Sequence, residues 1–201
     1  GLNPLAVKYY LKLGAKIIWM PTLHARNQIE YFGRDPFANH PGIRLLDENG
    51  DLKPEVLEIL DLIKEYDATV ATGHISIGES IAVCNAARER GVRTVLTHPD
   101  WTCTTVPADV QTQLVKKGVI LEKLWFDIGI NHVTAEYMAQ TIRDAGVENC
   151  FMATDRGQSG KEYPVEGIMM FMDAMLDCGF SVEEIHIMTH ENPERVLGLR
   201  P

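Results

Sequence analysis

Five short apolar runs in this chain lead to residues able to hold a metal ion or move a proton. AKIIWMP exits into Thr22-Leu23-His24-Ala25-Arg26-Asn27, ATVATG into His74, and RTVLT into His98; LWFDI carries Asp127 and precedes Asn131-His132, and CFMAT ends at Asp155. Taken singly, each has an ordinary structural role: a strand-end histidine satisfies a hydrogen bond, and an aspartate caps the next helix. Asp155 departs from that pattern, because the following Arg156-Gly157-Gln158-Ser159-Gly160 is loop-like and no helix starts at once. Taken together, four histidines and two aspartates fall on one rim if the runs are adjacent parallel strands. Neutral imidazole nitrogens and a carboxylate oxygen are the mixed donor set that holds zinc and similar divalent ions. Such an ion brings the pKa of bound water down to about 7. An aspartate beside it can take the proton and later deliver it to a leaving group.

The elements that must position these residues alternate in the manner of βα units around a parallel sheet. Five strands are expected: Ala15 to Pro21, Ala68 to Gly73, Arg93 to Thr97, Leu124 to Ile128 and Cys150 to Thr154. Apolar residues spaced by three and four predict helices over Pro54 to Tyr66, Glu79 to Arg90, Pro107 to Lys117, Thr134 to Ala145 and Val165 to Asp177. Gly91, Gly118, Gly146 and Gly179 close four of them as left-handed caps. A helix pair follows, with a capping box at Ser181 and Glu184 and an N-cap at Asn192 before Pro193; the run Ile185 to Met188 could alternatively form a sixth strand. Residues 23–53 make one long polar insertion, read as a flap over the site with a hairpin turn at Asn49-Gly50. The whole chain, 1–201, reads as a single catalytic-type domain.

Composition narrows the partners. A net charge of -9 argues against a grip on nucleic acid or an anionic membrane and leaves a small-molecule substrate. Cys84, Cys103, Cys150 and Cys178 are widely spaced without a CxxC pair, which fits a reducing, cytoplasmic setting rather than a disulfide framework. Neither GxxxxGK[ST] nor GxGxxG nor GxSxG occurs, so phosphate-loop and serine-nucleophile chemistry find no motif.

The segments TGHIS, LTHPD, FMATDRGQ and ENPERVLGL, in that order, resemble the later half of the amidohydrolase superfamily, metal-dependent hydrolases built on a (β/α)8 barrel. The resemblance implies that His74 and His98 are the ligands ending strands five and six. It makes Asp155 both the strand-eight ligand and the general base. Asp127, His24, Arg26, Asn27 and Arg156 are then substrate-binding or supporting groups, with His40 also near, and His24 an alternative ligand. The cofactor implied is a divalent metal, zinc foremost, with manganese or iron as alternatives. The reaction implied is hydrolysis of an amide, cyclic amide or ester. A metal-dependent decarboxylase of the same superfamily is the nearest alternative, and a metal-free ligand-binding domain on an open five-stranded doubly wound sheet is the other. The superfamily's HxH pair is absent, as is a lysine at the end of the run that would be strand four, which exits as Met20-Pro21-Thr22. The expectation is therefore a barrel without its first three βα units, its exposed apolar sheet edge favouring association such as a homo-oligomer.

Overall fold

A computed structural model describes residues 2–33, 41–128 and 133–199. Helix α1 (Pro4–Lys12) precedes β1 (Ile17–Trp19); α2 (Arg26–Phe32) and α3 (Pro54–Glu65) lead to β2 (Thr69–Ala71). Then come α4 (Ile77–Glu89), β3 (Arg93–Leu96), α5 (Ala108–Lys116), β4 (Val119–Leu124), α6 (Ala135–Ala145), β5 (Cys150–Ala153) and α7 (Pro164–Asp177). The chain closes with α8 (Val182–His186), a π-helical turn (Ile187–Glu191) and α9 (Asn192–Val196).

The strands lie in the order β1-β2-β3-β4-β5, each parallel to the next. That order rules out the doubly wound alternative, in which the strand order reverses at a switch point. A sheet wound in one direction curls instead into an arc of a (β/α) barrel. The pleat then divides the side chains. Val70, Leu96, Leu121 and Met152 point outward into the helix layer. Ala71, Val95, Ile120 and Phe151 point inward, where Val196 of α9 plugs the floor. Thr69 Oγ1 donates to the Val196 carbonyl at 2.5 Å and holds that plug in place.

Local signals explain most boundaries. Ser76 and Ser181 make full capping boxes with Glu79 and Glu184. The four helix-closing glycines all take positive φ, between 68° and 88°.

Three expectations need correction. The fourth strand is Val119–Leu124, and Trp125–Asp127 is a 3-10 turn beyond it. The aromatic look of that turn serves packing, with Trp125 6.0 Å from Phe171, while the true strand hides two charges, Glu122 and Lys123, in an apolar run. Asn192 is not an N-cap: its backbone is helical (φ -67°, ψ -41°), and its amide donates to the carbonyls of Val147 and Cys150. Residues Ile185 to Met188 are helical, as the expected helix pair has them, and not the alternative sixth strand. In the insertion, Asn49-Gly50 turns between one antiparallel bridge, Leu46 to Leu52, rather than two strands, because Asp47 takes the turn's N–H groups of Asn49 and Asp51 on its own carboxylate. His40, Asn131 and His132 lie outside the described residues. Among the described residues, no helix is long and apolar enough to cross a membrane.

Candidate active site

The C-terminal ends of the strands open on a cleft of about 370 Å³, lined by Trp19, Leu23, His74, His98, Glu122 and Asp155 among others. His74 follows Gly73, whose φ of +63° and position matter: a Cβ there would stand 2.4 Å from the Met20 carbonyl oxygen. The close approach lets His74 N–H donate to the Pro21 carbonyl at 2.9 Å and ties β1 to β2 at the rim. His74 Nδ1 donates to Gln28 Oε1, which leaves Nε2 with its lone pair. Burial, reinforced by the nearby His98 and only partly opposed by Asp155, pushes the His74 imidazole down to about 4. It is neutral, and so able to serve as a ligand, throughout the physiological range.

His98 sits at φ +49° and Asp155 at φ +47°. For residues other than glycine the left-handed region costs roughly 1–2 kcal/mol each. Of the three such residues described, two stand face to face in this cleft and the third, Asp67, lies in the turn before β2. His98 Nδ1 donates to Asp127 Oδ1 at 3.3 Å, and His98 Nε2 stands 3.4 Å from Asp155 Oδ2. Burial works against charging the imidazole, but the hydrogen bonds of Asp127 and Asp155, with the charges of Asp127 and Glu122, outweigh it and lift His98 to about 9. Asp127 is fully buried, which raises its carboxyl against the pull of His98, and its Oδ2 has no hydrogen-bond partner among the described residues. Glu122, also buried on the cleft side of β4, is lifted to about 7 by burial despite the neighbouring His98.

These groups can be tested against a divalent ion. Two ligands at about 2.1 Å from a tetrahedral ion are separated by about 3.4 Å. The spacing of His98 Nε2 and Asp155 Oδ2 is 3.4 Å, and Asp127 behind Nδ1 supplies the carboxylate that orients a metal-binding histidine. The His74 ring lies alongside, 5.3 Å from that of His98. Among the described residues, no three His, Cys, Asp or Glu side chains gather closely enough to enclose an ion by themselves. The residues thus fit one open face of a metal centre, on which a proton on His98 Nε2 and a cation compete for the same position.

The remaining residues singled out in the sequence are already engaged or lie elsewhere. Asn27 donates to the carbonyls of His74 (3.1 Å) and Cys103 (2.7 Å), so it braces the site rather than facing the cleft. Arg26 is held by Glu30 (2.6 Å) and the Pro41 carbonyl (2.6 Å). Arg156, 6% exposed, binds Glu162 at 2.5 Å and lies over the Phe126 ring. His24 lines a separate cavity between β1 and the helices α1 and α3. Sequence reasoning missed Gln28, Glu122 and Trp101. Trp101 packs on His74 and His98 at 5.1 and 5.2 Å and walls off the rim. Only Glu122 left a signal, a carboxylate inside an apolar run.

In the metal-free protein His98 should make stability pH-dependent. Its folded value of about 9 exceeds the ordinary 6.5, so the contribution is complete below about pH 6.5 and is lost as pH rises to about 9. His74 acts oppositely between about 4 and 6.5, where Glu122 offsets it, so the alkaline fall is the clean limb. Urea melts of chelator-treated protein at pH 6.5 and 9 should show this fall, and His98→Gln should flatten it.

A protein-family model described as a family of unknown function, DUF6282, matches residues 1–122. The chain belongs to the DUF6282 family. No curated protein matches this family member in sequence. Among solved structures, it is similar to an amidohydrolase from Pseudomonas aeruginosa (TM-score 0.68, 14% identity, covering 97% of this chain and 67% of that one). A metallo peptidase from Rhodobacter sphaeroides aligns with TM-score 0.63 at 13% identity, over 96% of this chain and 58% of its own. The phosphotriesterase homology protein of Escherichia coli aligns with TM-score 0.59 at 16% identity, over 88% and 68%. This DUF6282 chain therefore spans 58% to 68% of the length of these structures. At such identities the likeness is one of fold, a (β/α) barrel, of which the described residues form a parallel arc of five strands.

Proposed function

We propose that this DUF6282 protein is a metal-dependent hydrolase acting on an amide, cyclic amide or ester of a small molecule, with His98 and Asp155 as metal ligands and His74 as the third, drawn in when the ion binds. The observation that carries the reading is the 3.4 Å edge between His98 Nε2 and Asp155 Oδ2, with Asp127 behind the imidazole. A divalent ion held there, zinc being the best match to two imidazoles and a carboxylate, supplies a Lewis acid and a water whose pKa is lowered toward about 7.

The chain's own residues do the rest. Gln28 fixes His74 with its Nε2 toward the cleft, and Asp127 does the same for His98. Asp155, with 47% of its side chain exposed, is the one of these carboxylates that substrate and water can reach. It takes a proton from the attacking water and returns it to the leaving nitrogen or oxygen. Trp101 and Leu124 keep bulk water from the imidazoles. A cleft of about 370 Å³ suits a small molecule.

Zinc uptake tests the ligand assignment. Stripped protein titrated with zinc should bind at least one equivalent, and His74→Ala and His98→Ala should each weaken binding by more than about 100-fold, beyond the loss from supporting groups. Stoichiometric zinc unaffected by both changes would end the proposal.

A further inference from the structure

All six residues of β4, VILEKL, are buried, and two neighbours among them carry opposite charges. The pleat sends Glu122 and Lys123 to opposite faces of the sheet. Glu122 faces the cleft, where its carboxyl stands beside the backbone N–H of His98. Lys123 faces the helix layer and is fully buried. Its Nζ donates to Asp100 Oδ2 at 2.7 Å, Gln111 Oε1 at 3.0 Å and Thr141 Oγ1 at 3.0 Å. Gln111 in turn donates to Asp100 Oδ1 at 3.1 Å and to the Val106 carbonyl at 2.9 Å. Asp100 stands two residues beyond His98, and Thr104 Oγ1 donates to the His98 carbonyl at 2.5 Å. Both polar side chains of one strand therefore reach one turn, Lys123 through its bond to Asp100 and Glu122 by lying against His98, and that turn holds His98 at φ +49°.

A buried ion pair is not needed to fill a core, since apolar residues of equal volume do so as well or better. What the pair adds is position. Backbone strain of the kind seen at His98 persists only where the surroundings over-determine it. We propose that Glu122 and Lys123 are positioning residues that clamp the His98 turn from the two faces of β4 and so hold the imidazole between Asp127 and Asp155. The clamp rests on the proposed metal centre only for the zinc measurement in its test.

Two comparisons test it. In the first, Lys123→Met/Asp100→Leu removes both charges while keeping apolar volume. In the second, Glu122→Met removes the carboxyl beside the His98 N–H, whereas Glu122→Gln keeps an oxygen there. The readouts are the ring-nitrogen NMR signals of His98 in metal-free protein and the zinc dissociation constant by competition with a chelating dye. The double variant should remain folded by circular dichroism, shift the His98 Nδ1 signal from its Asp127-bonded position and weaken zinc binding about 10–100-fold. Glu122→Met should do the same, and Glu122→Gln should restore the His98 signals. Folded variants with wild-type His98 signals would overturn the clamp. If the double variant does not fold, the Met and Gln comparison at 122 decides alone, and equal His98 signals in those two would overturn it. If the wild-type protein takes up no zinc, the metal reading fails while the His98 signals still decide the clamp.

Discussion

Replacing Asp155 by asparagine is expected to lower hydrolytic turnover of the zinc-loaded protein by a factor on the order of 10²–10⁴, the usual worth of a positioned general base. Asparagine keeps the size of the side chain and, with aspartate, is among the residues that tolerate the left-handed backbone found at φ +47°. The change therefore removes the proton acceptor with little cost to the fold. An amide oxygen can still touch a cation, so zinc affinity should fall less than in the two histidine variants. Steady-state hydrolysis of p-nitrophenyl acetate, followed with zinc content in parallel, separates the two effects. Turnover within a factor of two of wild type would show that Asp155 is not the base. Asp155→Ala should add a stability loss, because alanine has no such tolerance for positive φ.

The largest effect on stability is expected at Lys123. Its side chain is fully buried, and its partner Asp100 is buried as well. Lys123→Met leaves that carboxylate in the helix layer with Gln111 as its remaining side-chain donor. Breaking one side of a buried pair costs roughly 3–5 kcal/mol, whereas replacing both sides by apolar groups is close to neutral. Urea denaturation should therefore place Lys123→Met far below wild type and return Lys123→Met/Asp100→Leu most of the way. A single variant as stable as wild type would mean that water reaches Asp100 and that the pair is not sealed.

The strand ends were legible in the sequence because parallel strands buried on both faces write short apolar runs, and the first polar residue after such a run sits on the rim. That placed His74, His98 and Asp155 in one cleft. β4 was misplaced because Glu122 and Lys123 interrupt the apolar run, while Trp125 and Phe126 continue it just where the chain turns into a 3-10 helix. The same two charges that blurred the strand are the ones that grip the His98 turn. Gln28 and Trp101 left no trace, since both meet His74 from a different βα unit and local pattern carries no information about such pairs. Arg26 and Arg156 looked available for an anionic group, and only the fold shows that Glu30 and Glu162 already occupy them.

The most direct test of the site is X-ray absorption at the zinc edge on zinc-loaded protein, with His98→Ala as the comparison. The proposal predicts a first shell of two imidazole nitrogens and at least one oxygen at about 2.0–2.2 Å. Loss of one imidazole in His98→Ala should accompany it. A shell without imidazole, or one that the His98→Ala change leaves as it was, would contradict the assignment of this cleft as the metal centre.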